Sequence, residues 1–422
     1  MIDHGMLFMS CIKMKINSLI TIIILLSLGS YSHATHPILP HLHRHLHSSV
    51  PPSKPITIQN PRLAKAYIAL AALKHAITSD PQNFTSNWYG PDVCNYNGVY
   101  CAPAPDDPHT TTVAGLDLNN ANIAGTLPND LCLLSDLTLF HINTNRFCGQ
   151  IPDSLRDLKL LYELDISNNQ FDGPFPPVLL CIPSLKFLDI RYNKFTGDIP
   201  SELFDLKLDA LFINNNKFKS SIPKNIGNSR VSVLVLANND FKGCIPSSLT
   251  KMAGTLNEVI LSNSGLTGCL SPEIGLLKNL TVLDISSNKL VGSLPESISK
   301  LKKLEQLNVA DNKLSGDIPN SICSLPRLEN FTYSFNFFCS VPETCLKLPD
   351  KDDKKNCIPG RPLQRSPQEC KSFYSVPVDC GAFGCLPRSP PPPPPPHHSP
   401  PPPPHYYHPP PPYHHTPPPV HR

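Results

Sequence analysis

The sequence predicts an α/β solenoid, a fold in which short repeats stack into one elongated, curved domain. Three observations lead to this prediction. Ten copies of the pattern L-x-L/I-x-x-N-x-L/F-x-G-x-I/L-P follow one another at a spacing of 23 to 25 residues between Val113 and Pro342. One copy is too short to bury its own apolar residues, so neighbouring copies must share a core. Cysteine-containing segments flank the array on both sides, as expected of caps that close such a core.

The strand of each copy has apolar residues at alternate positions, which places them on one face. The second of these inward residues is, from the first copy to the tenth, Leu118, Ile142, Ile166, Ile190, Ile213, Leu236, Leu261, Ile285, Val309 and Tyr333. With neighbouring strands about 4.8 Å apart, the copies predict a parallel sheet roughly 45 to 50 Å long that lines the concave side of the solenoid.

An asparagine stands three positions after the inward residue, where the chain must turn. It is Asn145, Asn169, Asn193, Asn216, Asn239, Asn288, Asn312 and Asn336, while Ala121 and Ser264 replace it in the first and seventh copies. An asparagine side chain can bond backbone groups that a turn leaves unpaired. We therefore expect a ladder of asparagines, copy above copy, that tolerates these two replacements.

The G-x-I-P segment of the repeat resembles specifically the leucine-rich repeats of plant extracellular proteins. Residues 61–112 precede the first copy and combine helical apolar spacing from Leu63 to Ile77 with the segment "VCNYNGVYC". This segment resembles the amino-terminal cap of plant repeats, and the resemblance implies a Cys94–Cys101 disulfide. The repeats then span 113–343.

The first 34 residues predict a secretory signal peptide. Basic residues precede an apolar run from Leu19 to Leu28, and small residues end at Ala34. The run is half of the roughly 20 apolar residues that span a bilayer, so we predict secretion and no membrane span. Residues 35–60 are rich in His and Pro, and we expect them to be disordered.

Fourteen of the 15 cysteines remain once Cys11 leaves with the signal peptide, and an even number in an oxidising compartment favours disulfides. Cys244 and Cys269 occupy the same slot of consecutive copies, about 5 Å apart, which predicts a bridge between them. Two further pairs share slots and a spacing of 16 residues, and this predicts that both close: Cys132 with Cys148, and Cys323 with Cys339.

Other cysteines leave alternatives open. Cys345 could compete for Cys323 or Cys339, and Cys181 has the character of a small buried apolar residue. The loop-rich block 344–386 has too few apolar residues for a core, so disulfides must hold it through Cys345, Cys357, Cys370, Cys380 and Cys385. Five is an odd number, which leaves room for a link to Cys181 or to a second chain.

Outward residues of the concave sheet change character along the array, and this surface is the usual binding face of a solenoid. We predict acidic flanks around an exposed apolar and aromatic strip, which would suit a basic and apolar partner. The acidic candidates are Asp117, Glu163, Asp165, Asp189, Glu258 and Asp284, and the apolar ones are Phe187, Tyr192, Phe212, Val233, Val235 and Ile260. Alternatively, an aspartate at this point is merely common in the repeat, and the apolar residues pack against a glycan or loop.

Other function classes find little support in the sequence. A net charge of +3 without a dense basic run argues against nucleic acid. An open face lacks the walled cleft that paired catalytic carboxylates need, and no hydrolase, zinc-protease or phosphate-loop motif is present, so we expect no enzyme, cofactor or metal. Three N-glycosylation sequons agree with secretion, at Asn83, Asn279 and Asn330.

The tail, residues 387–422, contains 20 prolines and predicts an extended polyproline rod of order 100 Å. Serines followed by proline runs, with tyrosines nearby, resemble extensin, a plant wall glycoprotein. The resemblance implies proline hydroxylation, glycosylation and oxidative coupling, here through Tyr406, Tyr407 and Tyr413. The tail is short and has Tyr-Tyr where the family's crosslink uses Tyr-x-Tyr, which puts the extent of coupling in question.

Solenoid, cysteine block and proline-rich tail in this order resemble the leucine-rich repeat extensins of plants. Segments such as "LDALFINNNKF" and "VSVLVLANNDFKGCIP" are similar to family sequence beyond the generic repeat. The resemblance implies a secreted, wall-anchored module that binds basic, cysteine-rich peptides of the rapid alkalinisation factor type and regulates wall assembly and growth, often as a dimer. The alternatives are an inhibitor of secreted glycosidases, resembling the polygalacturonase-inhibiting proteins, or a mainly structural wall glycoprotein.

Overall fold

The computed structural model describes residues 58–385. The predicted signal peptide, almost all of the His- and Pro-rich segment, and the tail with Tyr406, Tyr407 and Tyr413 lie outside the described residues. Within 58–385, no helix is both long enough and apolar enough to cross a membrane.

Short strands make up most of the regular structure. In chain order they are β1 (Ile77–Ser79), β2 (Val99–Pro103), β3 (Thr111–Asp117), β4 (Ala124–Gly125), β5 (Leu139–His141), β6 (Arg146–Gly149), β7 (Glu163–Asp165), β8 (Gln170–Pro174), β9 (Phe187–Asp189), β10 (Lys194–Gly197), β11 (Ala210–Phe212), β12 (Lys217–Phe218), β13 (Val233–Val235), β14 (Glu258–Ile260), β15 (Thr267–Cys269), β16 (Val282–Asp284), β17 (Lys289–Gly292), β18 (Gln306–Asn308), β19 (Lys313–Asp317), β20 (Asn330–Thr332), β21 (Phe337–Ser340) and β22 (Asp350–Asp352).

The strands form one long sheet and two shorter ones. The long sheet has 12 strands in the order β2-β3-β5-β7-β9-β11-β13-β14-β16-β18-β20-β22, all parallel except for the antiparallel pair β2 and β3. The second strand of each copy adds to a flanking sheet, with six strands from β1 to β12 and four from β15 to β21. The predicted solenoid with a parallel concave sheet is therefore confirmed.

Helical turns complete the other side of each copy. The α-helices are α1 (Pro61–Ala76), α2 (Asn320–Cys323), α3 (Glu343–Leu346) and α4 (Pro367–Tyr374). The 3₁₀ turns are Val93–Asn95, Asn129–Leu133, Asp153–Asp157, Pro177–Cys181, Ser201–Asp205, Ile226–Asn228, Ser247–Met252, Pro272–Leu276, Glu296–Lys300 and Gly381–Phe383. Most of these begin right after the proline of a copy, whose fixed φ suits the start of a helical turn.

One continuous core runs through all copies. The ten predicted inward residues, from Leu118 to Tyr333, are all buried. Two positions after the ladder asparagine, a second buried residue recurs and is aromatic in most copies, as at Phe147, Phe171 and Phe195. The stacking of equivalent side chains is what stabilises copies that could not fold alone.

The asparagine ladder is present as predicted. Asn145 Oδ1 accepts a hydrogen bond from the Ile123 amide at 2.8 Å, and its Nδ2 donates to the carbonyls of Leu118 and Ile142. Each ladder residue thus satisfies backbone groups of its own copy and of the one before it. Ser264 still donates to the Leu236 carbonyl at 3.3 Å, which explains how this copy tolerates the replacement.

The amino-terminal cap closes the core by burial. Leu70 and Leu73 of α1 are buried, and Trp88 stacks on Tyr96 with ring centroids 5.9 Å apart. The Cys94–Cys101 disulfide is confirmed, with an S–S distance of 2.01 Å. This end therefore combines an apolar helix with one local crosslink.

The parallel sheet continues beyond residue 343, where the sequence had placed the end of the repeats. Strand β22 pairs with β20, and Asn356 continues the ladder by donating to the Tyr333 carbonyl at 3.1 Å. The sequence pattern missed this copy because charged residues such as Lys351 and Asp353 stand where earlier copies have apolar ones. No further repeat covers this strand, so it does not need an apolar inward face.

The carboxyl-terminal block folds back along the flanking sheet. Phe373 of α4 stacks on Phe337 of β21 with ring centroids 3.7 Å apart, and the Tyr374 hydroxyl donates to the Phe337 carbonyl. The chain then returns to earlier copies, where two disulfides fix it. Cys269 bonds to Cys380 and Cys244 bonds to Cys385.

The predicted Cys244–Cys269 bridge is therefore wrong, although both residues do lie in equivalent slots. Each takes its partner from the block instead, because the block runs past the two slots in turn. Gly268 allows this approach: a Cβ atom there would lie 2.2 Å from the Cys385 sulfur. Its φ of +87° is also one that glycine adopts readily.

The two pairs predicted from the spacing of 16 residues are also wrong. Cys323 bonds to Cys345, the competitor noted above, and Cys132, Cys148 and Cys339 are free thiols. Cys323 and Cys345 lie in helical turns of successive copies, α2 and α3, whereas a separation of 16 residues connects different sides of the solenoid.

The remaining cysteines settle the open alternatives. Cys357 bonds to Cys370, so all five cysteines of the block have partners within the chain. Cys181 is a free thiol, and it is exposed rather than buried because it ends a 3₁₀ turn on the outer side.

Candidate binding face

Two rows of side chains face outward from the long sheet and form the candidate binding face. The strand register fixes them. The first row is Gly115, Leu139, Glu163, Phe187, Ala210, Val233, Glu258, Val282, Gln306 and Asn330, and the second row is Asp117, His141, Asp165, Asp189, Phe212, Val235, Ile260, Asp284, Asn308 and Thr332. Eleven of the twelve predicted ligand-binding residues lie in these rows, which therefore bring them onto one surface.

Tyr192 is the exception. It lies in the turn after β9 with a φ of +52°, and it is 42% exposed. Its ring therefore borders the face near Asp189 and Arg191 instead of standing in a row.

Cations compensate the carboxylates in the amino-terminal part of the face. Arg191 Nε lies 3.0 Å from Asp189 Oδ2, and both side chains are nearly inaccessible to solvent. Burial, together with the charge of Asp165, raises the pKa of Asp189 well above its usual range, while Arg191 acts in the opposite direction. Asp189 is therefore a buried member of an ion pair and not the exposed ligand group that we predicted.

His141 is the second cation site. Its Nε2 lies 3.3 Å from Glu163 Oε2. Burial lowers the pKa of His141, but the contact with Glu163 and the charges of Asp165 and Asp117 outweigh it, so the net pKa is raised. Sequence reasoning missed His141 and Arg191, although both could have been found by reading every outward position rather than only acidic and apolar ones.

The apolar strip is largely closed to solvent. Phe212, Val233 and Val235 are only 6 to 8% exposed, so the prediction of an exposed strip is wrong at these residues. The rings of Phe187 and Phe212 lie 5.6 Å apart, and the Arg191 guanidinium is 5.4 Å from the Phe212 ring. Side chains in adjacent strands are close enough to cover one another, which accounts for the burial.

Glu258 and Asp284 follow the strip. Glu258 lies between Val233 and Val282 in the first row, and burial, with the charge of Glu305, raises its pKa to about 7. Burial also raises the pKa of Asp284, although hydrogen bonds from Ser286 oppose that shift. Phe187 and Ile260 remain partly exposed beside these groups.

The aspartates of the second row also have a structural role. In Asp117, Asp165 and Asp284, Oδ1 accepts a hydrogen bond from the amide two residues on, at 2.9 Å in each case. This turn motif explains why aspartate is common at this point of the repeat. It uses one oxygen of each carboxylate and leaves the other for a ligand.

The three sequons have different surroundings. Asn83 is exposed in a turn, whereas the Asn279 amide donates to the carbonyls of Ala253 and Gly254. Asn330 lies in the first row of the face and donates to Asp350 at 2.9 Å. Glycosylation at these positions stays a prediction.

An open depression of about 580 Å³ lies away from this face, beside the last copies and α4. Its lining includes Phe337, Phe373 and Arg365. The Phe337 ring already stacks with Phe373 and lies 4.1 Å from the Arg365 guanidinium, so these groups are engaged within the protein. Between residues 58 and 385 no group of three or more His, Cys, Asp or Glu side chains is arranged to hold a metal ion.

Comparison with protein families agrees with the repeat assignment. A family model described as leucine rich repeat matches residues 160–181, 184–206, 254–314 and 278–336. A model described as leucine rich repeat N-terminal domain matches residues 66–102, which include α1 and the first disulfide.

Two curated relatives cover most of this chain. Leucine-rich repeat extensin-like protein 6 of Arabidopsis thaliana is 61% identical over 85% of this chain and 75% of its own length. Leucine-rich repeat extensin-like protein 7 of the same plant is 64% identical over 79% of each.

Among solved structures, the chain is similar to the Arabidopsis receptor kinase HAESA in complex with the peptide hormone IDA and the co-receptor SERK1. The TM-score is 0.58 at 26% identity, over 69% of this chain and 54% of that one. The chain therefore spans about half of that receptor's chain.

Proposed function

Because this chain belongs to the leucine-rich repeat extensin family, we propose that its repeat domain is a non-catalytic module for basic, cysteine-rich secreted peptides of the rapid alkalinisation factor type. The proline-rich tail tethers this secreted module to cell-wall polymers, and the module modulates wall assembly and growth. The observation that carries the proposal is the row of carboxylates on the concave face, from Asp117 to Asp284, interrupted by an apolar centre.

The chemistry of the face supports a basic partner. Each second-row aspartate keeps one carboxylate oxygen outside the turn motif, so several acceptors lie at intervals of one strand. Partly exposed apolar groups such as Phe187 and Ile260 can receive the uncharged part of a peptide. The similarity to HAESA, which was solved with a peptide hormone, supports a peptide as the ligand class.

The point at which the tail leaves the fold supports its role as a tether. Cys385, the last described residue, is fixed to Cys244 of the sixth copy. The proline-rich segment therefore begins beside the middle of the flanking sheet and not at the end of the long sheet, so pulling on the tail loads the disulfides rather than the binding rows.

Binding measurements test the proposal. The full-length secreted protein is titrated by calorimetry with a synthetic basic, disulfide-bonded peptide of the alkalinisation type, and in parallel its effect on fungal polygalacturonase is assayed. We expect binding of the peptide below micromolar concentration and no inhibition of the enzyme. No peptide binding together with enzyme inhibition would favour the glycosidase-inhibitor alternative.

A matched pair of variants shows where the peptide binds. Asp117→Asn with Asp165→Asn removes two charges from the face but keeps the Oδ1 acceptors. Asp130→Asn with Asp157→Asn makes the same charge change on exposed outer turns. We expect the first pair to weaken binding at least tenfold and the second to change it less than twofold; equal effects would place the site elsewhere.

The wall tether has its own test. Protein expressed in plant tissue should resist extraction of wall material with concentrated salt, whereas a chain that ends after Arg388 should be extracted. Complete release of the full-length protein by salt alone would contradict covalent coupling through Tyr406, Tyr407 or Tyr413.

A further inference from the structure

Glu258 differs from the other acidic residues of the face in having no polar neighbour to satisfy it. Its Oε2 is closed to solvent and accepts no hydrogen bond from any described residue. The strand register places aliphatic side chains around it, with Val233 and Val282 on either side in the same row and Ile260 two residues on. A carboxyl group in such surroundings is costly to ionise unless a cation reaches it.

The strands around Glu258 supply no such cation. On β13 the outward residues are Val233 and Val235, and the charged groups nearest on the other side are Asp284 in β16 and Glu305 just before β18. Both of these are acidic, and no outward residue of β13, β14, β16 or β18 is basic. The compensation that Arg191 gives to Asp189 is therefore missing here.

The side chain is nevertheless open to a ligand. Glu258 is partly exposed as a whole, which leaves its other carboxyl oxygen within reach from the concave side. Partly exposed Ile260 lies beside it. The site thus offers one carboxylate surrounded by aliphatic groups, which matches a lysine or arginine whose alkyl stem packs on apolar surface while its head is charged.

We propose, building on the peptide-binding function proposed above, that Glu258 is the anchor for one lysine or arginine of the bound peptide, and that proton release from Glu258 couples peptide affinity to the pH of its surroundings. The cation takes the place that Arg191 occupies beside Asp189. Its alkyl stem packs against Val282 and Ile260.

The direction of the pH effect follows from linkage. The pKa of Glu258 in the free protein is raised to about 7, and an adjacent cation lowers it. The bound state therefore holds fewer protons, so binding strengthens as pH rises towards 7 and weakens below it. Between pH 7.5 and pH 5.5 this single group would weaken binding by about 10- to 30-fold.

The experiment measures affinity for the synthetic basic peptide from pH 5.5 to 7.5, with the full-length protein and two variants. Glu258→Gln mimics the protonated side chain, so we expect it to match wild type at pH 5.5, to bind at least tenfold more weakly at pH 7.5 and to lose most of the pH slope. Glu329→Gln is the control, because it removes an exposed carboxylate at the far end of the same sheet. This control should keep the wild-type slope.

The outcomes separate the two proposals. If wild type binds the peptide but Glu258→Gln keeps the same affinity and slope, the anchor is wrong while the peptide-binding function stands. If wild type does not bind at any pH, the peptide-binding function itself fails. A peptide whose lysines are acetylated one at a time should identify one position whose acetylation has no further effect in Glu258→Gln; no such position would also overturn the anchor.

Discussion

Acidic residues at two places on the concave face have different neighbours. In the amino-terminal part, Asp189 lies against Arg191, and Glu163 lies against His141. Farther along, Glu258 lies among valines and isoleucine, with another acidic residue, Glu305, as its nearest charge. Both parts have the same backbone geometry, since the strands are parallel and in register throughout.

The difference shows that one scaffold can hold a carboxylate in two states. A buried carboxylate with a cation beside it serves the fold, because the pair is already complete. A carboxylate without a cation costs stability when it ionises, and a ligand can recover that cost by supplying the charge. The amino-terminal part is therefore structural in part, whereas the middle is available for binding.

The largest effect should come from breaking the completed pair. Arg191→Ala leaves Asp189 buried next to Asp165 and removes the guanidinium from the Phe212 ring. We expect the free energy of unfolding to fall by about 2–4 kcal/mol at pH 8, measured by denaturant titration. The loss should shrink at pH 5, where Asp189 takes up a proton.

Arg191→Ala with Asp189→Asn is the matched control, since it removes both charges. It should recover most of the lost stability. If the double variant is as unstable as the single one, the loss comes from packing and not from an unpaired carboxylate.

A smaller effect should follow from truncating the apolar strip. Phe212→Ala removes a ring that is 6% exposed and packs against Phe187. We expect a loss of about 2–3 kcal/mol in the free energy of unfolding, by the same titration. Tyr192→Ala, at a ring that is 42% exposed, should cost less than about 1 kcal/mol. Equal costs would mean that the strip is exposed in solution after all.

Removing the unpaired carboxylate should stabilise the free protein. The folded-state pKa of Glu258 is about 7, above its ordinary value, so wild type loses stability as pH rises from about 4.5 to 7. Glu258→Gln should unfold with a free energy about 1–2 kcal/mol higher than wild type at pH 8 and nearly equal at pH 4.5. Equal stability at both pH values would mean that Glu258 is well solvated, and would weaken its assignment as an anchor.

The smallest effect concerns His141. A raised folded-state pKa means that protonated His141 stabilises the fold below its ordinary pKa, and that this contribution is lost as pH rises through the folded value. Glu163→Gln should lower the pKa of His141, followed by NMR titration of its ring, and should cost about 0.5–1 kcal/mol at pH 5.5. Little difference should remain at pH 8.5; an unchanged titration would show that the contact at 3.3 Å is not electrostatically important.

The repeat pattern was sufficient to predict most of the fold. Inward residues such as Leu118 and Ile213 are buried as expected, and Asn145 and Asn193 bond the backbone of two copies each. These features depend on contacts between adjacent copies about 24 residues apart, and the same contacts recur along the array. A regularity of this kind is visible in the sequence because every copy repeats the same physical requirement.

The candidate face was predicted only in part. Position in the repeat correctly placed Glu258 and Asp284 on the outward rows. It could not show that Phe212 and Asp189 are covered by their neighbours, because burial on an outward face depends on the size of side chains in the adjacent strands.

The sequence by itself thus determined the solenoid, its core and its asparagine ladder, since these arise from a local pattern repeated in every copy. Tertiary structure alone decided that Cys244 and Cys269 bond to Cys385 and Cys380, and which carboxylates of the face have a cation beside them. The physical reason is the same in both cases. The block folds back over a distance of more than 100 residues, and Arg191 occurs in one copy only, so neither contact recurs along the chain to be read as a pattern.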